Sequence, residues 1–151
     1  MEDRNFDYIN KLYQAQVAFK DQAKRISISE RVNLLKKLKN LIHQNESKIK
    51  AAIYNDFRKS AIETDTTEIL ASILELNHII KNLKKWAKPK SVGSSLLFAT
   101  TSAKLIYEPK GNTLIITPWN YPFQLPIVHL AGSIAAGNTV ILKLSEFTPH
   151  I

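Results

Sequence analysis

Two short, apolar, β-branched runs, Thr113–Thr117 and Thr139–Leu144, flank a segment of helical composition that ends at Gly137. This pattern limits the possible folds more than any other in the chain. Each run has the length and branching of a strand buried in a sheet. Pro122 suits the first turn of the intervening helix, where its missing N–H costs nothing. The helix passes through Leu125, Val128, Ala131, Gly132 and Ala135, and Gly137 is a natural residue just past its end. Strand, helix and strand over 113–144 make about the 30 residues of one βαβ unit, which implies parallel strands and a right-handed crossover. Small residues Ala131, Gly132, Ser133, Ala135 and Ala136 are expected to let the helix lie close on the sheet. Ligands of such sheets gather at the carboxyl ends of the strands, and both Thr117–Asn120 and Lys143–Glu146 fall there.

Upstream the character changes. All four glycines and five of the six prolines follow residue 89, so 1–90 reads as helical. Phe6, Ile9, Tyr13 and Val17 form one apolar stripe. Ser27-x-x-Glu30 is a capping-box pattern, opening a helix whose stripe is Val32, Leu35, Leu38 and Ile42. Asn45 offers a fresh N-cap for a short helix toward Asp56. Asp65-x-x-Glu68 has the form of another helix start, followed by Ile69, Ile73, Leu76, Ile80 and Leu83. Lys84, Lys85 and Lys88 suit the negative end of that helix, and Pro89 ends it. The Ile69–Leu83 stripe also admits a coiled-coil seam, but lasts about two heptads, short of the three or four such a seam needs. Ala103–Glu108 is a short strand candidate and Pro109–Asn112 a turn.

Composition removes several kinds of chemistry. The chain has no cysteine, which excludes disulfides, thiolate zinc sites and a cysteine nucleophile within these residues. His43, His78, His129 and His150 have no histidine partner at helical spacing, so no metal site is expected. Of the net charge of +8, residues 1–90 hold +7, from 18 Lys and Arg against 11 Asp and Glu. A basic half can meet nucleic acid or an acidic membrane surface, and the amphipathic Leu34–Lys50 stretch admits the second. Here the lysines are interspersed with acids and spread over several helices, which fits a solvated surface and no nucleic-acid partner. No run has the roughly 18 apolar residues of a membrane span. The polar start Met1–Arg4 lacks a signal-peptide core, and a cytoplasmic protein is expected.

By spacing alone the candidate site stays open. There is no G-x-G-x-x-G or Walker pattern. Asn120, between a strand end and a helix start, has the place of a turn-making asparagine. Trp119 suits packing, and Lys143 and Glu146 an exposed ion pair.

The segment Gly111-Asn112-Thr113-Leu114-Ile115-Ile116-Thr117-Pro118-Trp119-Asn120-Tyr121-Pro122-Phe123 is similar to the aldehyde dehydrogenase stretch that ends in Pro-Trp-Asn-aromatic-Pro. Ala135-Ala136-Gly137-Asn138-Thr139-Val140-Ile141-Leu142-Lys143-Leu144-Ser145-Glu146 resembles that family's Ala-Gly-Asn…Lys-Pro-Ser-Glu stretch, and the gap between the two agrees. Asp56–Lys59 and Leu83–Trp86 resemble the branch acting on fatty and other hydrophobic aldehydes. The resemblance runs from about residue 27 to the last residue.

The resemblance implies an α/β fold in which amino-terminal helices lead into the first strand–helix–strand of a parallel, Rossmann-like cofactor domain, truncated in this chain. It divides 1–151 into a helical portion (1–90), a linker and oligomerisation-type strand (94–112) and the first βαβ unit (113–151). Asn120 matches the asparagine whose amide donates a hydrogen bond to the substrate oxygen. Ile116, Thr117, Pro118 and Trp119 match positions bordering the cofactor, partly through backbone atoms. Lys143 and Glu146 match the pair that holds the adenosine ribose hydroxyls. The cofactor is NAD or NADP, with Glu146 leaning toward NAD because its charge would repel a 2′-phosphate. The complete enzyme is expected to be a homo-oligomer, a dimer, that oxidises an aldehyde to a carboxylic acid. Leu144 departs from the family's proline, freeing an N–H and loosening the backbone. The family's cysteine nucleophile, general-base glutamate and glycine-containing cofactor turn are not among these residues, so this chain alone is expected to be inactive. The alternative is a non-catalytic helical interaction or oligomerisation module.

Overall fold

The computed structural model describes residues 2–93 and 100–151. Helix α1 (Glu2–Arg25) is followed by α2 (Ile28–Gln44), α3 (Glu46–Phe57) and α4 (Ala61–Thr64). A π turn (Asp65–Ile69) joins α4 to α5 (Leu70–Trp86). Strands β1 (Lys90–Val92), β2 (Ala103–Leu105) and β3 (Asn112–Ile116), helix α6 (Gln124–Ala136) and strand β4 (Thr139–Lys143) complete the chain. The expected α/β architecture, helices first and then strand, helix, strand, is the one observed. Residues 94–99 of the expected linker lie outside the described residues.

The Ser27 box forms as read: Glu30 N donates to Ser27 Oγ at 3.2 Å, and Ser27 N to Glu30 Oε2 at 2.9 Å. The Ser27 hydroxyl, donating to Glu30 Oε2 at 2.6 Å, and then the Ser27 N–H hold the Glu30 carboxyl below its ordinary pKa. Asn45 does precede α3, but its side chain turns back to the Leu41 carbonyl at 2.8 Å and caps nothing ahead of it. Asp65-x-x-Glu68 is not a helix start. Ser60 is the N-cap, accepting from Glu63 N at 3.2 Å, and Asp65 and Glu68 lie inside the helical run. The nearer serine offers the local acceptor first, and Glu68 is turned inward instead.

Leu35, Ile42, Ile49, Ile53, Ile69, Ile73, Leu76, Ile79 and Leu83 form one core between α2, α3, the π turn and α5. Ile79 is the fully packed residue where the stripe suggested Ile80, which only flanks the cluster. Ala131 and Ala135 of α6 belong to this core, while Ser133 meets the strands through Thr113 Oγ1 at 2.7 Å. The small residues of α6 therefore admit helices on one side as well as the sheet on the other. Pro122 lies two residues ahead of Gln124, within a turn closed by the Leu125 N–H to the Tyr121 carbonyl at 3.2 Å, and Pro126 follows in the first turn of α6. That position again spares a donor.

Arg31 fastens two helix ends to this core. It is 8% exposed and has no carboxylate partner among the described residues. Its guanidinium donates to the carbonyls of Ile26 (3.0 Å), Lys24 (3.1 Å) and Ala135 (3.4 Å). These carbonyls lie at the last turns of α1 and α6, the negative ends of both helix dipoles. Burial lowers the pKa of Arg31, and an arginine remains a cation at neutral pH.

β3 and β4 pair in parallel, from Asn112 opposite Thr139 to Ile116 opposite Lys143, as a βαβ unit requires. They are not the buried strands expected. Leu114 is 61% and Ile116 68% exposed: α6 packs on one face and α1 lies against β4 and β3, but among the described residues these two side chains stay uncovered. The expected strand at 103–108 spans only Ala103–Leu105, and it has a partner that the sequence reading missed: β1, antiparallel, with Lys90 opposite Leu105. The apolar stripe of α1 is likewise uncovered, with Phe6, Ile9 and Tyr13 exposed.

Candidate functional site

The parallel register carries two of the marked segments to one end of the sheet. Beyond Ile116 opposite Lys143, Thr117 N donates to the Lys143 carbonyl at 3.1 Å. Residues 116–120 and 143–146 therefore leave β3 and β4 side by side, at the carboxyl end where such sheets hold ligands. Ile116 presents an exposed face there. Thr117 is buried, and its hydroxyl has no hydrogen-bond partner among the described residues. Of the four positions 116–119, Thr117 can meet an incoming group only through its backbone, whereas Ile116, Pro118 and Trp119 are exposed.

After β4, Lys143 Nζ approaches Glu146 Oε2 at 2.6 Å, and both side chains face solvent. The hydrogen bond and charge of Lys143 hold the Glu146 carboxyl below its ordinary pKa. An ionised carboxylate offers only acceptors, and an ammonium only donors. That set can hold vicinal hydroxyls. Leu144, in place of proline, does not separate the pair.

Asn120 opens into a different space, a cleft of about 390 Å³ lined by Phe57, Arg58, Lys59, Glu63, Trp119 and Tyr121. Its two neighbours are held from across the fold. Trp119 stacks on Phe57, with centroids 6.2 Å apart and planes 25° apart. The Tyr121 ring lies 4.8 Å from Lys59 Nζ. Asn120 is exposed, and no hydrogen bond from its side chain to the protein is present among the described residues. A turn-making asparagine would use its side chain on nearby backbone; this one keeps its amide unengaged. Lys143 and Glu146 do not line the cleft.

Behind the turn lies Glu68, which sequence reasoning missed as a site residue. It is 0% exposed. Oε2 accepts the backbone N–H of Gln124 at 2.8 Å and of Phe123 at 3.2 Å, and Oε1 accepts Lys59 Nζ at 2.9 Å. The amino terminus of α6 is thereby already occupied by a protein carboxylate, and does not serve as a phosphate cradle. The available signal was spacing: Glu68, Ser72 and Leu76 follow one another at four-residue intervals, and all three are buried.

Another cavity, of about 600 Å³, lies beyond the opposite end of α6, among Arg31, Leu83, Trp86, Tyr107 and Ala136, and includes none of the marked residues. Among the described residues no three His, Cys, Asp or Glu side chains are grouped to hold a metal ion. None of their helices is long and apolar enough to cross a membrane.

The family model described as "Aldehyde dehydrogenase family" matches residues 4–151. The 4,4'-diaponeurosporen-aldehyde dehydrogenase of Staphylococcus aureus is 42% identical over 141 residues, covering 93% of this chain and 30% of that protein. Aldehyde dehydrogenase family 3 member B1 of Mus musculus is 40% identical over 139 residues, covering 92% and 30%. Among solved structures, a substrate-bound state of Staphylococcus aureus AldH superimposes with a TM-score of 0.90 at 41% identity, covering 94% of this chain and 31% of that one. The chain thus spans about 30% of the length of the curated relatives it matches.

Proposed function

We propose, from the premise that this chain belongs to the aldehyde dehydrogenase family, that it provides the oxyanion-binding and adenosine-binding parts of an NAD(P)-dependent oxidation of an aldehyde to a carboxylic acid. The observation that carries the reading is the Asn120 amide. It is exposed in a cleft, unengaged by protein, and flanked by two ring side chains that are themselves held.

A side-chain NH₂ in that position donates a hydrogen bond to the aldehyde oxygen as negative charge develops on it, and it does so without titrating. Preorganised donors of this kind contribute about 10²–10³ in rate. The attacking thiolate comes from outside these 151 residues, which contain no cysteine. The isolated chain is therefore expected to form no NADH from aldehyde.

A nicotinamide cofactor, when bound, supplies the hydride acceptor. The residues at the sheet end fit its adenosine half: Glu146 accepts ribose hydroxyl hydrogens, Lys143 donates to the ribose oxygens, and exposed Ile116 offers an apolar surface. The negative charge at Glu146 favours NAD over NADP, since a 2′-phosphate beside it would be repelled. The proposed substrate is a hydrophobic aldehyde, in keeping with the name of the Staphylococcus aureus relative. The two-stranded β1–β2 sheet, with Val92, Leu105, Ile106 and Tyr107 exposed on and beside it, is the proposed dimer contact.

The test is a chimera in which residues 1–151 replace the matching segment of the Staphylococcus aureus enzyme. Aldehyde-dependent NADH formation is expected, and Asn120→Ala should lower kcat by about 10²–10³ with little change in KM for NAD. An Asn120→Ala chimera as fast as its parent would refute the oxyanion role. The uncovered stripe of α1 favours a second reading, a non-catalytic interaction module. It predicts a defined oligomer of the isolated chain and an inactive chimera.

A further inference from the structure

We infer that Glu68 is the positioning residue for the Asn120 turn: its buried carboxylate sets where α6 begins, and with that the direction in which the Asn120 amide points. The inference rests on the oxyanion role proposed for Asn120, and extends it to a side chain outside the cleft.

The backbone donors at the start of α6 explain why. No local side chain caps this helix. Leu125 N–H is taken by the Tyr121 carbonyl at 3.2 Å, and Pro126 has none. That leaves Phe123 and Gln124, and both donate to Glu68 Oε2 at 3.2 and 2.8 Å. A helix start ordinarily finds its cap within three residues. Here the acceptor arrives from 55 and 56 residues away in sequence. The first turn of α6 is therefore placed by tertiary structure, and the turn in front of it inherits that placement.

The other oxygen works on the same turn from the opposite side. Glu68 Oε1 holds Lys59 Nζ at 2.9 Å, and that ammonium lies 4.8 Å from the Tyr121 ring centroid. One carboxylate thus reaches both the residues after Asn120 and the wall of its cleft. Burying such a pair gives little net stability, since the desolvation cost offsets the attraction. Geometry is what this one contributes. Its setting agrees, because π turns inside α-helices recur at functional sites.

The test uses the 151-residue chain labelled with 5-fluorotryptophan. Trp119 reports the turn. Trp86, at the far end of α5 and 5.3 Å from His78 by ring centroid, reports the rest of the fold. Glu68→Gln keeps the volume but sets an NH₂ against either Lys59 or the two amides. The expected result is faster hydrogen exchange at Phe123 and Gln124, by about tenfold, and a shifted Trp119 fluorine resonance beside an unchanged Trp86 resonance. Retained protection of both amides would overturn the inference, as would Trp86 and Trp119 shifting together. If Glu68→Gln does not fold, Lys59→Met probes the contact from its other end. A shifted Trp119 with a steady Trp86 supports the inference, and an unmoved Trp119 defeats it. In the chimera, Glu68→Gln should lower kcat by up to about 10²-fold, the loss a misplaced donor can cause, with KM for NAD unchanged. An Asn120→Ala chimera as fast as its parent would remove the oxyanion role while the fluorine and exchange data still decide whether Glu68 places the turn.

Discussion

Replacing Gly137 by alanine puts a methyl group where the Arg31 guanidinium already sits. Gly137 has φ 86° and ψ 25°, in the left-handed region, where an L-residue costs about 1–2 kcal/mol. The added Cβ would come within 2.4 Å of Arg31 Cζ and 2.5 and 2.6 Å of its two terminal nitrogens. A free arginine would swing aside at little cost, but this one is held by carbonyls at 3.0, 3.1 and 3.4 Å. Giving up one charge-assisted bond of this kind costs about 1.5–3 kcal/mol. With the backbone cost, Gly137→Ala should destabilise the chain by about 2.5–5 kcal/mol. Such a loss is a large part of the stability of an ordinary domain. Urea unfolding followed by circular dichroism measures it, and a cycle with Arg31→Met separates its causes. In the Arg31→Met background the glycine change should cost only the backbone share, about 1–2 kcal/mol, leaving a coupling of about 1.5–3 kcal/mol. Equal costs in the two backgrounds would show that Arg31 is not what Gly137 makes room for, and a cost under about 1 kcal/mol would discard the argument altogether.

Leu76, fully buried among α2, α5 and α6, should cost about 2–5 kcal/mol as Leu76→Ala, whereas Leu114→Ala on the open sheet face should stay within about 0.5 kcal/mol. Comparable losses from the same unfolding measurement would show that the outer face is covered. For Glu146, carboxyl-carbon NMR should show a titration below the ordinary carboxylate midpoint, and Lys143→Met should return it upward. Because the folded value is the depressed one, any stability from this pair is present above the unfolded pKa and disappears as pH falls through the folded value. An unshifted midpoint, or one indifferent to Lys143→Met, would contradict the 2.6 Å ion pair.

Ser27-x-x-Glu30 and Asp65-x-x-Glu68 show where local reading succeeds and where it stops. Both present a short acceptor followed by an acid three residues later. The first folds as a box because nothing nearer competes and both partners are exposed. The second does not, because Ser60 has already begun the helix and Glu68 finds better donors at the start of α6. A local pattern states which bonds a segment can make with itself, not which distant donors will outbid them. The same limit hid the site's supports. The strand–helix–strand order and the segments at the sheet end followed from β-branching, Gly137 and the turn residues. Phe57 and Lys59 stand only in a family-like stretch with no role attached, and Glu68 shows only helical spacing, since each reaches the Asn120 turn through folding. β1 escaped notice for another reason: Lys90–Val92 is three residues long and exposed throughout, too short for alternation to register. The burial expected of β3 failed because apolar branching describes what a strand suits, not what covers it, and among the described residues nothing covers Leu114 and Ile116.

The π turn at Asp65–Ile69 sets a phase as well as a bend. Each residue of a regular helix advances the side-chain direction by about 100° and the axis by about 1.5 Å, and a π turn holds one residue more than its neighbours. Deleting a single residue there would restore ordinary helical geometry and leave Leu70–Trp86 seated on its core. The short stretch just upstream, α4 with Lys59 ahead of it, would turn by about 100° and draw in by about 1.5 Å, while α2 and α3 stay packed on α5. Helix content and core would survive, while the wall of the cleft rotated away from Asn120. The supernumerary residue thus behaves like an offset tooth in a gear, fixing the angle at which the cleft wall meshes with the scaffold that carries it.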